Sequence, residues 1–281
     1  MHERLAALTG RTPVAWTRMD EGGYSPGERF VVRFADGGSA FVKDAPRIED
    51  DHLVYSTVSA SCLPRLLAYG DGLLVIEDLS DARWGTPLTE ADCDALAAAF
   101  DELAGVRAPD GLRANDLPAK WRDFLADPEP LLRIGLAPES WLPNVAALAE
   151  AEATVDVSGD RLVHRDLWLQ NWCRAARGAV IVDWAGAVAG NPMLMRAWGE
   201  AGIRAADGPP GRVLRGEPGW AAFVAGLTVW FLAQDGPDTD PRLIETERRE
   251  AWSTLRWACD ELGLPYPEPS EAYTSLGPWR P

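Results

Sequence analysis

The sequence predicts an α+β fold, with a small antiparallel sheet and one helix first and a larger, mainly helical part after it. Two observations predict it. Short runs rich in β-branched and aromatic residues fill the first eighty or so positions, and helical periodicity takes over from Thr89 onward. Val14 to Met19, Arg29 to Phe34 and Gly38 to Lys43 read as strands. The turn-forming stretch Glu21-Gly22-Gly23-Tyr24-Ser25-Pro26-Gly27 separates the first two, and Asp36-Gly37-Gly38 signals a hairpin because glycine tolerates positive φ. Pro46 to Ser59 reads as a helix, then Pro64 to Ala68 and Leu73 to Glu77 as two further strands, giving the order β-β-β-α-β-β.

Thr89 is a plausible N-cap for an alanine-rich helix reaching Leu103, with helical stretches near Ala119 to Ile134 and Glu139 to Ala153. Arg161 to Val163 and Ala179 to Val182 are short strand-like runs inside this part. Helices return over Met193 to Ala205, Gly219 to Ala233 and Pro241 to Leu262, and residues 234–241 and 265–281 are the least regular.

Composition narrows the function classes. A chain of 281 residues, 47% hydrophobic, buries one or two cores at roughly 100 to 200 residues per domain. Acidic residues outnumber basic ones 43 to 27, and the net charge of −16 repels nucleic acid and anionic membranes. No apolar run reaches the roughly 18 residues that span a bilayer. The first ten residues lack the apolar stretch and small-residue cleavage site of a secretion signal, so a cytoplasmic protein is expected, as monomer or homodimer. Cys62, Cys93, Cys173 and Cys259 lie far apart with no C-x-x-C pair and suggest neither a disulfide framework nor a zinc site.

The chemistry centres on His164-Arg165-Asp166-Leu167-Trp168-Leu169-Gln170-Asn171, which fits the catalytic-loop pattern H-R-D-x-x-x-x-N of phosphoryl transfer. Such transfer needs a carboxylate to orient a hydroxyl and take its proton, and a nearby amide oxygen to hold the metal that offsets phosphate charge. Asp166 and Asn171 supply them. A short apolar strand then ends in Asp183, where a second metal-binding carboxylate is required. Taken alone, His164 equally suits a packed core and Asp166 a turn cap. The order of elements favours the active reading: a glycine-rich turn, a lysine closing the third strand, a helix, two strands, the loop, then strand and aspartate.

Lys43 closes Ala40-Phe41-Val42-Lys43, comparable to the V-A-I-K strand whose ammonium meets the α- and β-phosphates. A carboxylate from the next helix should pair with it, and Glu49 and Asp51 are both candidates. Gly22 and Gly23 let backbone N–H groups approach phosphate oxygens, with Ser25 adding a hydroxyl; as a plain hairpin turn they need no such role. Asp166, Lys43 and His164 are thus the candidate catalytic residues.

These blocks, with Ile76-Glu77-Asp78-Leu79, Val182-Asp183-Trp184 and Gly190-Asn191-Pro192, resemble the aminoglycoside phosphotransferase family of kinase-like enzymes, which is similar to choline and homoserine kinases. The resemblance covers most of the chain. It implies a protein-kinase-like bilobal fold, with an N-lobe over 1–79 and a C-lobe over 80–281. It also implies ATP or GTP held by backbone groups near Glu77 to Leu79, Mg2+ at Asn171 and Asp183, and Asp166 as catalytic carboxylate. Ala185 and Met195 stand where that family commonly has acidic residues, and Arg165 replaces a small residue. Too few residues separate Asp183 from Pro192 for the activation segment of a protein kinase, and Ala137-Pro138-Glu139 precedes the loop instead of following it.

The expected acceptor is a small hydroxylated molecule, led by an antibiotic or other cationic natural product, with a metabolic alcohol or sugar behind it. It is expected between Asp166 and the helical segments around 118–153 and the C-terminus, the parts free to vary around a phosphate machinery. Trp168 and Trp172 flank the loop, and Asp235, Asp238, Asp240, Asp260 and Glu261 suit either a cationic acceptor or a solvated face. The competing reading is a catalytically silent nucleotide-binding protein; the retained Lys43, Asp166, Asn171 and Asp183 argue against it.

Overall fold

The computed structural model describes residues 1–19, 27–46, 48–236 and 239–270. The chain divides into two compact units, Met1–Asn115 with Ser158–Met195, and Asp116–Val157 with Arg196–Pro281.

The first unit opens with a helix that the strand-rich composition conceals, α1 (His2–Thr9), closed by Gly10 in the left-handed region. Five strands follow: β1 (Pro13–Arg18), β2 (Glu28–Phe34), β3 (Ser39–Asp44), β4 (Leu66–Gly70) and β5 (Leu73–Glu77). They form one antiparallel sheet in the order β1-β2-β3-β5-β4. Helix α2 (Glu49–Thr57) lies between β3 and β4.

Side-chain alternation gives this sheet two working faces. Phe30, Val32, Ala40, Val42, Leu73 and Val75 form a core with Leu5 and Leu8 of α1. The intervening residues Arg29, Val31, Phe41, Lys43, Leu74 and Ile76 line a cavity on the other face. Register decides that assignment. The β2–β3 loop has three residues, with Gly37 at φ +85° closing the turn and Phe34 N–H donating to Gly38 O over 2.9 Å. Arg29 therefore stands opposite Lys43. A two-residue loop would bring Phe30 there instead.

Helix α3 (Glu90–Ala104) begins with a capping box: Thr89 Oγ1 accepts from Asp92 N, and Asp92 accepts from Thr89 N at 2.8 Å. Its buried face packs on two small antiparallel sheets. In one, β6 (Arg161–Val163) pairs with a strand over residues 188–190; in the other, β7 (Trp172–Ala175) and β8 (Gly178–Ile181) form a hairpin. The strand over 188–190 is β9 (Val188–Gly190).

In the second unit, the expected helix over 119–134 is two, α4 (Trp121–Ala126) and α5 (Glu129–Arg133), interrupted at Pro128. The stretch 139–153 starts as a 3-10 turn containing Pro143 and becomes α6 (Val145–Glu152). Glu152 accepts from the N–H groups of Lys120 (2.7 Å) and Trp121 (2.8 Å), and so caps α4 from a distance. Helix α7 (Met193–Ala205) carries the chain into this unit, where α8 (Pro218–Gln234) and α9 (Pro241–Leu262) follow. Helix α8 is apolar on every side and buried among its neighbours. Among the described residues no helix is long and apolar enough to cross a membrane.

Candidate active site

Within the first unit a cavity of about 730 Å³ is walled by the inner face of the five-stranded sheet, by α2, by residues 77–80 with Trp84 and Gly85, and by residues 169–171 and 182–183. Its far wall comes from the β7–β8 hairpin. Trp172 pairs with Ile181, so the residues just outside the pair, Asn171 and Val182, meet at the open end, with Val182 N–H donating to Asn171 O at 2.9 Å. Asn171 and Asp183 thus come to one cavity wall although twelve positions separate them.

Lys43 joins the two sides. Its Nζ donates at 2.8 Å to Asp51 Oδ2 and at 2.8 Å to Asp183 Oδ1. Asp51, one helical turn before Tyr55, is the carboxylate that pairs with the lysine, and Glu49 is not in that contact. Asp51 Oδ1 accepts from Trp184 N–H at 2.5 Å, and Tyr55 Oη accepts from Asp183 N–H at 3.2 Å. Burial works against the Lys43 charge, but Asp51 and Asp183 outweigh it and raise its pKa. Burial pushes Asp51 up, yet with an ammonium on one oxygen and an N–H on the other it stays a carboxylate. At Asp183 burial is overcome chiefly by Lys43, and the pKa falls. Asp183 has φ 61°, in the left-handed region, an uncommon conformation for a residue with a side chain.

The loop from β6 to β7 presents Asp166. His164 is buried, edge-on to Trp184 with ring centroids 4.8 Å apart. Its Nδ1 accepts from Asp166 N–H at 3.2 Å, which places the hydrogen on Nε2, 3.0 Å from Val182 O. Both ring nitrogens are engaged. Asn171 Nδ2 donates to Asp166 O (2.6 Å) and Oδ2 (3.2 Å), so its amide oxygen is the free end of the side chain. Asp166 has an exposed surface yet is crowded by protein. Desolvation raises its carboxyl above the ordinary range, against the hydrogen bond it accepts from Asn171.

The donor set fits a hard divalent ion. One carboxylate oxygen from Asp183 and one amide oxygen from Asn171 match Mg2+, which takes few protein ligands and completes its octahedron with water and phosphate oxygens. Among the described residues no group of three or more His, Cys, Asp or Glu gathers as a separate metal centre.

At the opposite rim, Glu77 is held by Arg65 (3.0 Å from N, 3.1 Å from Nε) and by Arg177, whose Nε also donates to Ser61 O at 3.0 Å. Its carboxylate is spent on that clamp, leaving backbone groups of residues 77–79 for a ligand. Leu79 O accepts from Trp84 Nε1 at 3.0 Å and from Ala82 N–H at 3.0 Å. Gly22, Gly23 and Ser25 lie outside the described residues. Arg29, Tyr55, Trp84 and Arg177 belong to the site or its frame and were not singled out from sequence. None of the four carried a distinguishing signal there, since the strand of Arg29 also holds Glu28 and Arg33.

The profile of the phosphotransferase enzyme family matches residues 14–222. No curated protein sequence matches the chain significantly. Among solved structures, a choline/ethanolamine kinase family protein from Mesorhizobium loti is 14% identical over 98% of this chain and 95% of its own, with a TM-score of 0.59. Choline kinase LicA from Streptococcus pneumoniae is 12% identical over 93% and 96%, at 0.54. A thermostable mutant of aminoglycoside phosphotransferase APH(4)-Ia, in ternary complex with ADP and hygromycin B, is 17% identical over 100% and 99%, at 0.51. The antiparallel sheet followed by a helical C-terminal part is the kinase-like fold of these proteins.

Proposed function

The chain belongs to the phosphotransferase enzyme family and acts on small molecules, and on that premise we propose that its cavity binds Mg-ATP or Mg-GTP and that Asp166 directs the γ-phosphoryl group to an acceptor hydroxyl. The observation that carries this reading is the pair of hydrogen bonds that Lys43 donates to Asp51 and Asp183, in one cavity with Asn171.

Lys43 meets the α- and β-phosphates, held rigidly by its two carboxylates. Asn171 Oδ1 and Asp183 hold Mg2+, which supplies charge neutralisation at the phosphates. Glu77 O and Leu79 N–H hold the base, Leu79 O being taken by Trp84 and Ala82. Residues 1–79 serve as the nucleotide-binding lobe and residues 80–281 carry the catalytic loop and acceptor-binding helices.

Asp166 accepts the acceptor's proton as the new O–P bond forms and the bond from the γ-phosphorus to the leaving oxygen breaks. Its carboxylate lies within hydrogen-bond reach of Asn171, which orients it toward the acceptor side of the loop. His164 acts as a positioning residue, since both its ring nitrogens are committed to backbone groups on either side of the loop.

The proposed acceptor is a cationic, hydroxylated natural product of the aminoglycoside kind, a class that a chain of net charge −16 attracts. Resistance or biosynthesis would be the corresponding role of a cytoplasmic monomer or homodimer. A mass-shift screen with Mg-ATP and Mg-GTP tests it across aminoglycosides, macrolides, peptide antibiotics, choline-like alcohols and sugars. A gain of one phosphate on a cationic antibiotic supports the reading; transfer confined to a metabolic alcohol or sugar would overturn the antibiotic assignment.

A further inference from the structure

Lys43 is heavily committed before any ligand arrives. Two carboxylates sit on its ammonium, and a third, Asp166, flanks the same wall through Asn171. This local balance is negative, inside a chain whose net charge is −16. A triphosphate entering such a site needs positive charge beyond one neutralised lysine and one divalent ion.

The sheet supplies it. Arg29 of β2 is the direct cross-strand partner of Lys43 of β3, and residues so paired project from the same face with Cβ atoms roughly 5 Å apart. Arg29 lines the cavity with Lys43 and Asp183. Arg65 and Arg177, at the far rim, are bonded to Glu77. A guanidinium is always charged and forks across two phosphate oxygens, which an ammonium does not. Its strand has six cross-strand pairs with β3, so the base of the side chain is fixed.

We infer that Arg29 is a second phosphate-binding cation of the nucleotide site, gripping the triphosphate from β2 while Lys43 grips it from β3. The inference rests on the nucleotide-site reading above and adds to it a positioning residue that the catalytic-loop pattern does not contain.

Calorimetric titration tests it, with the wild type, Arg29→Gln and Arg29→Lys each titrated with the preferred Mg-nucleoside triphosphate and with the matching nucleoside. Arg29→Gln should bind the triphosphate about tenfold more weakly and the nucleoside as the wild type does, with a shallower dependence of Kd on salt. Arg29→Lys should regain part of the loss. Equal triphosphate affinity in Arg29→Gln and wild type overturns the Arg29 role while leaving the nucleotide site standing. Parallel loss of triphosphate and nucleoside overturns it too, since that marks a structural role. A wild type that binds no nucleotide removes the site itself, and this inference with it.

Discussion

Lys43 Nζ and Asp183 Oδ1 lie 2.8 Å apart across 140 positions of sequence. That contact ties the strand carrying the proposed phosphate-binding lysine to the hairpin carrying the proposed metal ligands, and the same ammonium holds Asp51 of α2. Three segments of the first unit are thereby fixed around one cavity.

The pair with Asp51 is the most deeply buried part of this arrangement, with side-chain exposures of 7% and 1%. Lys43→Ala should therefore destabilise the fold by about 3–5 kcal/mol, because it strands a buried carboxylate. Asp183→Asn should cost less, since Asp183 is 33% exposed. Denaturant melts of the two variants check the ranking.

Asp166→Asn should lower kcat by at least roughly a hundredfold and leave the Kd for nucleotide little changed, since the group meets the acceptor and not the nucleotide. Steady-state rates beside calorimetric affinities separate the two effects. Full activity in this variant would remove Asp166 from its assigned place.

Trp84 is 40% exposed, lines the cavity, and is pinned by its indole N–H to Leu79 O. Its ring is placed to wall one side of the base. Trp84→Ala should raise the nucleotide KM roughly three- to tenfold with kcat unchanged, and Trp84→Phe should recover part of that. A drop in kcat at constant KM would contradict the placement.

Glu152 gives the second unit a pH signature. Burial raises its pKa from 4.5 to about 7 in the folded chain, against the two backbone N–H bonds it accepts. Between these values the folded state keeps a proton that the unfolded chain has released. The contribution to stability is full below about pH 4.5 and is lost as pH rises through 7. Glu152→Gln does not titrate and cannot accept both N–H groups, so it should be the less stable protein at pH 5. That deficit should shrink by up to about 3 kcal/mol by pH 8. Glu247, also raised to about 7, titrates in both proteins and cancels in the difference. Melting curves at several pH values would contradict this if the gap stayed constant.

The catalytic loop was legible in the sequence because its chemistry sits on contiguous residues: Asp166 and Asn171 are five positions apart and bonded directly. Strand and helix types were legible where an apolar run or a helical period covered five or more residues, as in β5 and α9 respectively. Helix α1 was not, because an eight-residue helix showing only Leu5 and Leu8 to the core leaves little periodic trace. Strands β7 and β9 were not either, because they end in Arg174-Ala175 and Ala189-Gly190 where the equally short β6 and β8 end in Leu162-Val163 and Val180-Ile181. The choice between Glu49 and Asp51 stayed open because it turns on helical phase, fixed only when Asp51 and Tyr55 are seen to face the same wall. Arg29 was hidden by one residue of loop length, since register alone decides which β2 side chain stands opposite Lys43.

Convergence of Lys43, Asn171 and Asp183 on a metal-bound nucleoside triphosphate is best tested by thermal unfolding of the protein with ATP or GTP, each with and without Mg2+. At about one hundred times its Kd the preferred Mg-nucleotide should stabilise the protein by about 2.7 kcal/mol, and chelation should abolish most of that gain. An unchanged melting curve with both Mg-nucleotides would contradict the claim.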